Sequence, residues 1–171
     1  MNTTVIIKAS ANKNGNTQKI INHFNTDNSV DVIDLLDYTI GHFDYNFKNA
    51  KDDFLPLMKR IAEQYETIIF ATPVYWYTMS GHLKVFFDRL SDLLHYQKDL
   101  GRKLRGKNMA MISNSGENDR RDGFDMPFIE SAKYLGMNYL GDIHVWFNSE
   151  DNTIHNEAIS KLENFKNSLL K

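Results

Sequence analysis

The sequence contains no cysteine among its 171 residues. Without cysteine the chain cannot form disulfides, thiolate metal sites, iron–sulfur clusters or a cysteine nucleophile. It also lacks an apolar run near the roughly 20 residues that span a bilayer, and no basic stretch leads into an apolar one at its start. We therefore expect a soluble, cytoplasmic protein that forms a single domain over residues 1–171.

An excess of charge of one sign is also missing. The 20 lysine and arginine residues nearly balance the 22 aspartate and glutamate residues, which gives a formal net charge of −2. Such a chain has neither the basic surface of a nucleic-acid-binding protein nor a strongly acidic carrier surface. Composition therefore predicts neither a nucleic-acid partner nor a membrane partner.

The most informative stretch, residues 67–90, joins a buried strand to a helix that Ser80 can cap. It begins with an uninterrupted apolar run, which is typical of a parallel strand buried on both faces. Thr72 and Pro73 end that strand, because proline has no amide donor. Three aromatic residues follow, where open α/β sheets bind ligands. These residues are Tyr75, Trp76 and Tyr77. An ordinary loop is the alternative, but the concentration of aromatic rings favours a flat, conjugated ligand.

A polar loop, residues 10–17, follows the first predicted strand (residues 4–9) and opens an amphipathic helix. Such a loop directs backbone amides and the positive end of the helix dipole to one spot, which suits a phosphate. Gly15 allows the backbone to approach the anion closely. Five side chains of the loop can donate hydrogen bonds: Ser10, Asn12, Asn14, Asn16 and Thr17.

Helix capping by Asn16 or Thr17 is the alternative interpretation of this loop. The sequence lacks the lysine and serine or threonine that end a nucleotide-triphosphate loop, and it does not match the G-x-G-x-x-G dinucleotide fingerprint. A monophosphate is therefore a better predicted ligand than ATP or a dinucleotide.

The remaining pattern predicts strands at residues 30–35, 109–112 and 139–147, each followed by a helix or a polar segment. Alternating strands and helices with right-handed crossovers form a parallel sheet covered by helices on both faces. We expect a three-layer α/β sandwich with the flavodoxin-like strand order 2-1-3-4-5. In that order the loops after strands one, three and four are neighbours.

Other polar clusters have structural interpretations. Asp52 and Asp53 are expected to begin a helix rather than bind a metal, and Asp88 and Arg89 to belong to the scaffold. Residues 37–51 show no periodicity and are predicted to be an ordered connection. The basic stretch at residues 91–104 is predicted to be a solvated loop, with contact to a cofactor phosphate as the alternative. We predict no catalytic residue and no metal site.

These motifs resemble the flavodoxin-like NAD(P)H-dependent FMN reductases and quinone reductases. The resemblance lies in Ser10 with the Gly15-Asn16-Thr17 run, in residues 71–89, and in the S-N-S-G run at residues 113–116. Two departures stand out. A branch with similar motifs has a cysteine cluster that is absent here, and the arginine common in the first loop of the family is replaced by Asn12 and Lys13.

The resemblance implies an FMN site. Its phosphate would contact Ser10, Asn12, Asn16 and Thr17. Its isoalloxazine would contact Pro73, Val74, Tyr75 and Trp76 on one side and Ser113, Ser115 and Gly116 along the opposite edge.

We therefore expect an FMN-dependent oxidoreductase that takes hydride from NADH or NADPH and reduces a quinone, flavin, nitro or azo acceptor. A flavodoxin-type electron carrier and a non-catalytic flavin-binding module are the alternatives. We also expect a homodimer, because residues 38–47 and the His95-Tyr96 pair carry more aromatic rings than solvated connections usually do.

Overall fold

The computed structural model describes residues 3–170 and contains one parallel sheet of five strands. The strands are β1 (Thr4–Lys8), β2 (Asp31–Asp34), β3 (Thr67–Pro73), β4 (Asn108–Asn114) and β5 (Asn138–Val145). Their spatial order is β2-β1-β3-β4-β5, and all neighbouring pairs are parallel. The predicted flavodoxin-like order is therefore confirmed.

Helices cover both faces of this sheet. They are α1 (Asn16–Phe24), α2 (Phe54–Gln64), α3 (Gly81–Arg89), α4 (Asp92–His95), α5 (Lys98–Arg102), α6 (Met126–Leu135) and α7 (Asn156–Leu169), with a 3-10 turn at Leu35–Asp37. Because successive residues of a strand face opposite sides, Ile6 packs in the core beneath α1 and α7, whereas Val5 and Ile7 pack beneath α2, α3 and α6. Within residues 3–170, no helix is long and apolar enough to cross a membrane.

Some element boundaries differ from the prediction. Strand β4 continues past Ile112 to Asn114, whereas β5 ends at Val145 and Phe147 forms an isolated bridge with Ile154. The predicted cap of α3 is confirmed, because the Oγ of Ser80 accepts a hydrogen bond from the N–H of Leu83 at 3.2 Å.

The prediction of a solvated loop at residues 91–104 is wrong. This segment forms α4 and α5, and it buries Leu93 and Leu104. The two short helices pack closely because residue 101 is glycine: a Cβ on Gly101 would lie 2.5 Å from the carbonyl oxygen of Leu93. The basic residues Lys98 and Arg102 line a separate surface depression and not the cavity described below.

Arg89 belongs to the scaffold, as predicted. Its guanidinium is 1% exposed and donates to Asp92 Oδ2 at 2.9 Å and to Asp52 Oδ2 at 2.5 Å. It also donates to the backbone carbonyls of Gly41 at 3.0 Å and Asn49 at 3.1 Å. One buried cation therefore fastens the irregular connection between β2 and α2 to the end of α3.

In the acidic pair before α2, the carboxylate of Asp52 binds the first turn of the helix as predicted, whereas that of Asp53 binds the preceding connection. Asp52 Oδ1 accepts from the N–H of Phe54 at 3.0 Å, and Asp53 Oδ2 accepts from the N–H of Thr39 at 2.7 Å. In the part of the chain that the structure describes, no cluster of three or more histidine, aspartate or glutamate residues is placed to hold a metal ion.

Candidate functional site

A cavity of about 570 Å³ opens at the carboxyl ends of β1, β3 and β4. Small-molecule sites typically measure roughly 300–1,000 Å³. The cavity brings together every residue predicted for the site except Trp76 and Ser113. Three residues that the sequence analysis did not identify complete its lining: Lys19, Asn114 and Asn152.

Backbone N–H groups at the start of α1 form one end of the cavity. No side chain within residues 3–170 caps this helix, and the N–H groups of Asn16 and Thr17 have no acceptor in that range. Side-chain capping as the sole role of the loop is therefore wrong. Two open donors at the positive end of a helix dipole attract an anion. A Cβ on Gly15 would lie only 3.1 Å from the Cβ of Asn12, so a side chain there would displace the loop.

The floor of the cavity joins α1 to β4. The hydroxyl of Thr17 donates to Oδ1 of Asn114 at 2.8 Å, and both residues are buried. The bond joins residues that are 97 positions apart in the sequence. Because the hydroxyl proton is used in this bond, Thr17 can offer an anion its backbone N–H but not its side chain. The carbonyl of Asn114 also accepts from the N–H of Val74 at 2.7 Å, so one residue supports two walls.

Lys19 adds a positive charge to the same end of the cavity. Its Nζ donates to the carbonyl of Asn152 at 2.8 Å and lies 5.8 Å from the centre of the Phe147 ring. This contact holds the turn after β5 against α1. Sequence reasoning missed both residues because Lys19 lies beyond the polar loop and Asn152 is 133 positions away from it.

The aromatic loop after β3 is a two-residue turn. The N–H of Tyr75 donates to the carbonyl of Thr78 at 2.9 Å, and the N–H of Thr78 donates back at 3.1 Å. Trp76 and Tyr77 have φ angles of 49° and 66°. Successive left-handed residues define a type I′ turn, in which Asn-Gly is usual. Two aromatic residues there store strain on the order of 1–2 kcal/mol each.

Exposure separates the three aromatic residues of this turn. Tyr75 lines the cavity, whereas Trp76 is 91% exposed and Tyr77 is 66% exposed. Trp76 therefore does not fill the core, and it does not line the cavity. Its predicted contact with a bound flavin stays a prediction.

A buried histidine of β5 holds the third wall. Nδ1 of His144 lies 3.0 Å from Oγ of Ser113, and Nε2 lies 3.1 Å from the carbonyl oxygen of Glu117. Since a carbonyl only accepts, we assign the ring proton to Nε2, and Nδ1 accepts from the Ser113 hydroxyl. Ser113 therefore faces β5 instead of the cavity. Nε2 of His144 also lies 3.1 Å from Oγ of Ser115, which lines the cavity together with Gly116.

The surroundings of His144 favour its neutral form. Burial lowers the pKa of His144, and the positive charge of Arg120 acts in the same direction, while Asp119 and Asp142 oppose it. Arg120 is itself held by Asp142 at 2.5 Å and donates to the Ser113 hydroxyl at 3.3 Å. Each group of this network therefore donates to the next. Arg120 donates to the Ser113 hydroxyl, that hydroxyl donates to Nδ1 of His144, and Nε2 of His144 donates to the Glu117 carbonyl.

The described lining of the cavity contains two titratable side chains, Lys19 and Tyr75. It contains no carboxylate and no imidazole among residues 3–170. Such a site can bind and orient a ligand, but it offers no nucleophile paired with a base. A cofactor that carries its own chemistry fits this lining.

The doubly wound sheet, with its cavity at the carboxyl ends of β1, β3 and β4, defines a flavodoxin-like α/β domain. A family model described as NADPH-dependent FMN reductase matches residues 2–152. The match covers most of the sequence, and the chain belongs to the NADPH-dependent FMN reductase family.

Individual relatives agree with this family. YwqN of Bacillus subtilis (strain 168), provisionally named an NAD(P)H-dependent FMN-containing oxidoreductase, is 32% identical over 108 residues, which are 60% of this chain and 58% of YwqN. The match therefore spans less than two thirds of that relative. The Trp repressor binding protein from Bacillus subtilis superposes with a TM-score of 0.74 at 24% identity over 95% of this chain and 96% of that one.

An FMN-dependent NADH-azoreductase from Bacillus anthracis str. Ames Ancestor, solved in complex with FMN, has the same fold. Its TM-score is 0.69 at 13% identity, over 98% of this chain and 99% of that one. The low identities of the two structures show a shared fold and no more.

Proposed function

We propose that the chain is an FMN-dependent oxidoreductase that takes hydride from NADH or NADPH. The electrons would pass to a small-molecule acceptor such as a quinone, a flavin, a nitro compound or an azo compound. The observation that carries this proposal is the pair of open N–H groups at Asn16 and Thr17, at one end of a cavity with Pro73, Val74 and Tyr75 on another wall. Family membership supports it.

The described residues suit FMN in two ways. Asn12, Asn14 and the open N–H groups of α1 would hold the phosphate, with Lys19 contributing a positive charge. The proline, valine and tyrosine after β3 would contact the apolar ring system, and the wall at Ser115 and Gly116 would contact its polar edge. When bound, FMN supplies the hydride and electron chemistry that the side chains lack.

Anaerobic mixing tests the activity. FMN-loaded protein is mixed with NADH or NADPH while the flavin absorbance is followed, and free FMN at the same concentration serves as the control. We expect rapid bleaching with at least one nucleotide. Bleaching no faster than with free FMN for both nucleotides would contradict the reductase and favour an electron carrier or a flavin-binding module.

We also propose that the active unit is a homodimer. Trp76, Tyr77 and Tyr45 are highly exposed, at 91%, 66% and 86%, and exposed aromatic rings commonly mark interfaces. Tyr96, whose ring stacks on that of Phe47 with ring centres 5.2 Å apart, is also 49% exposed. Sedimentation at micromolar concentration tests the dimer: a single active species near the chain mass of 19.9 kDa would contradict it.

A further inference from the structure

Lys8 is a charged residue inside an otherwise apolar strand. It is 1% exposed and lies between Ile7 and Ala9, which are both fully buried. Burying an ammonium group is costly unless opposite charge and hydrogen bonds compensate for the lost water. The contacts that compensate for this cost therefore show which segments of the chain Lys8 holds together.

Each of the three ammonium protons of Lys8 has an acceptor. Nζ donates to the backbone carbonyl of Lys13 at 2.5 Å, to Oε1 of Gln18 at 2.8 Å and to Oδ2 of Asp34 at 2.8 Å. The other carboxylate oxygen of Asp34 accepts from the N–H of Leu36 at 3.0 Å. Lys8 thus joins β1, the polar loop, the first turn of α1 and the end of β2.

The contact with the loop carbonyl has an electrostatic consequence. In a trans peptide the C=O and N–H groups point in opposite directions. Lys8 draws the Lys13 carbonyl towards the buried sheet, so the N–H of Asn14 turns away from it and donates to Oδ1 of Asn12 at 3.0 Å. A carbonyl oxygen that would repel an anion is therefore kept away from the open N–H groups of α1.

We propose that Lys8 is a positioning residue that holds the loop at residues 10–17 in its phosphate-binding conformation. It acts through the Lys13 carbonyl and Gln18 and does not line the cavity. This inference rests on the proposed function, because it assumes that the loop holds the phosphate of FMN. A buried ion pair that serves stability alone is the competing explanation.

Two variants separate these explanations. Asp34→Asn removes the carboxylate charge but keeps the oxygen that accepts from Leu36, and Lys8 remains beneath the loop. Lys8→Met combined with Asp34→Asn removes the ammonium group without leaving an unpaired buried carboxylate. Both proteins are compared with the parent by thermal unfolding and by titration with FMN and with riboflavin, which lacks the phosphate.

A positioning role predicts a phosphate-specific loss. Relative to Asp34→Asn, the double variant should bind FMN about tenfold or more weakly, while its riboflavin affinity changes by less than about threefold. Equal losses for both ligands, or no loss in a folded double variant, would overturn the inference. If the double variant fails to fold, Gln18→Leu tests the role of Lys8 instead. This variant keeps the ion pair between Lys8 and Asp34 but loses the bond between Lys8 and Gln18, so it should still lower the preference for FMN over riboflavin. A Gln18→Leu chain with the parent's preference would then overturn the role of Lys8.

The parent protein distinguishes this inference from the proposed function. Equal affinity of the parent for FMN and riboflavin would overturn the phosphate site itself, and the role of Lys8 with it. A preference for FMN in the parent that survives in the double variant would overturn the role of Lys8 alone.

Discussion

Lys8 and Arg89 are two buried cations, and each holds an irregular segment of the chain. Each is 1% exposed, and each binds a carboxylate and the backbone carbonyl of an irregular segment. Lys8 holds Lys13, in the loop that lines the cavity, whereas Arg89 holds Gly41 and Asn49, in a connection that contributes nothing to the described lining. The position of the restrained segment, and not the burial of the charge, therefore separates a site residue from a scaffold residue.

Loss of the scaffold cation should have the largest effect on stability. Arg89→Met leaves Asp52 and Asp92 without their cation, and breaking a buried pair in this way costs about 3–5 kcal/mol of unfolding free energy. Urea unfolding measures this loss. Arg102→Met is the matched control, because its ion pair with Asp99 is exposed and worth at most about 1 kcal/mol.

The comparison also predicts what Arg89→Met leaves unchanged. At temperatures where the variant is folded, its preference for FMN over riboflavin should equal that of the parent, because the segment held by Arg89 does not reach the cavity. A phosphate-specific loss of affinity would show that the two cations do not have separate roles.

A single side chain of the phosphate loop should give the next largest effect. Asn16→Ala keeps the open backbone N–H but removes the side-chain amide of a residue that lines the cavity, which should weaken FMN binding by about 1–3 kcal/mol and leave riboflavin binding unchanged. Isothermal titration with both ligands measures the difference. Asn164→Ala on α7 is the control, because Asn164 is exposed and lies outside the cavity. A loss shared by the two ligands would remove Asn16 from the phosphate site.

His144 is a third buried anchor, and histidine ordinarily has a pKa of about 6.5. Because its pKa is lowered from 6.5 in the folded chain, the unfolded chain binds a proton first as the pH falls. Stability is therefore fully present above about pH 6.5 and is lost as the pH falls through the lowered value. His144→Gln should abolish this part of the pH dependence. It should also cost about 1–3 kcal/mol near neutral pH, because it removes the contacts of the imidazole with Ser113 and with the Glu117 carbonyl.

Urea unfolding of the parent and of His144→Gln at about pH 7.5 and about pH 5.5 measures this dependence. His155→Gln is the control, because both histidines stack on Trp146 and His155 is the less buried of the two. If the parent and His144→Gln lose the same unfolding free energy between the two pH values, the pH dependence of stability belongs to other groups.

The aromatic turn should give the smallest effect on stability, because no buried anchor holds it. Trp76 is 91% exposed, so Trp76→Ala should change the unfolding free energy by less than about 0.5 kcal/mol. Two chains with one tryptophan each, Trp146→Phe and Trp76→Phe, then test its ligand role. We expect FMN to protect Trp76 from acrylamide quenching and to leave the buried Trp146 unaffected. Unchanged quenching of Trp76 would show that it does not meet the flavin.

The local sequence pattern predicted most of the sheet, because each central strand is a short run of apolar residues. Ser113 shows where local pattern fails. The prediction ended β4 at Ile112 and assigned Ser113, with Ser115 and Gly116, to the site. The strand continues to Asn114 instead, and adjacent strand residues face opposite sides, so Asn114 reaches the cavity while Ser113 points to His144.

The other differences depend on tertiary contacts. Helices α4 and α5 have four and five residues, too few to show helical periodicity, and short helices are stable only when packed against other elements. The contact between Lys19 and Asn152 likewise joins distant parts of the chain. No local pattern predicts such a pair.

The hydrogen bond between Thr17 and Asn114 sets the order in which the site can assemble. A growing chain leaves the ribosome with α1 long before β4, and β4 lies beside β3 rather than β1. Contacts between distant segments form slowly, because the intervening chain must first lose its conformational entropy. A fragment that ends before residue 108 would hold the complete phosphate loop and still lack the floor beneath it. Binding of the proposed cofactor to a complete site would therefore require that the fourth strand has joined the sheet.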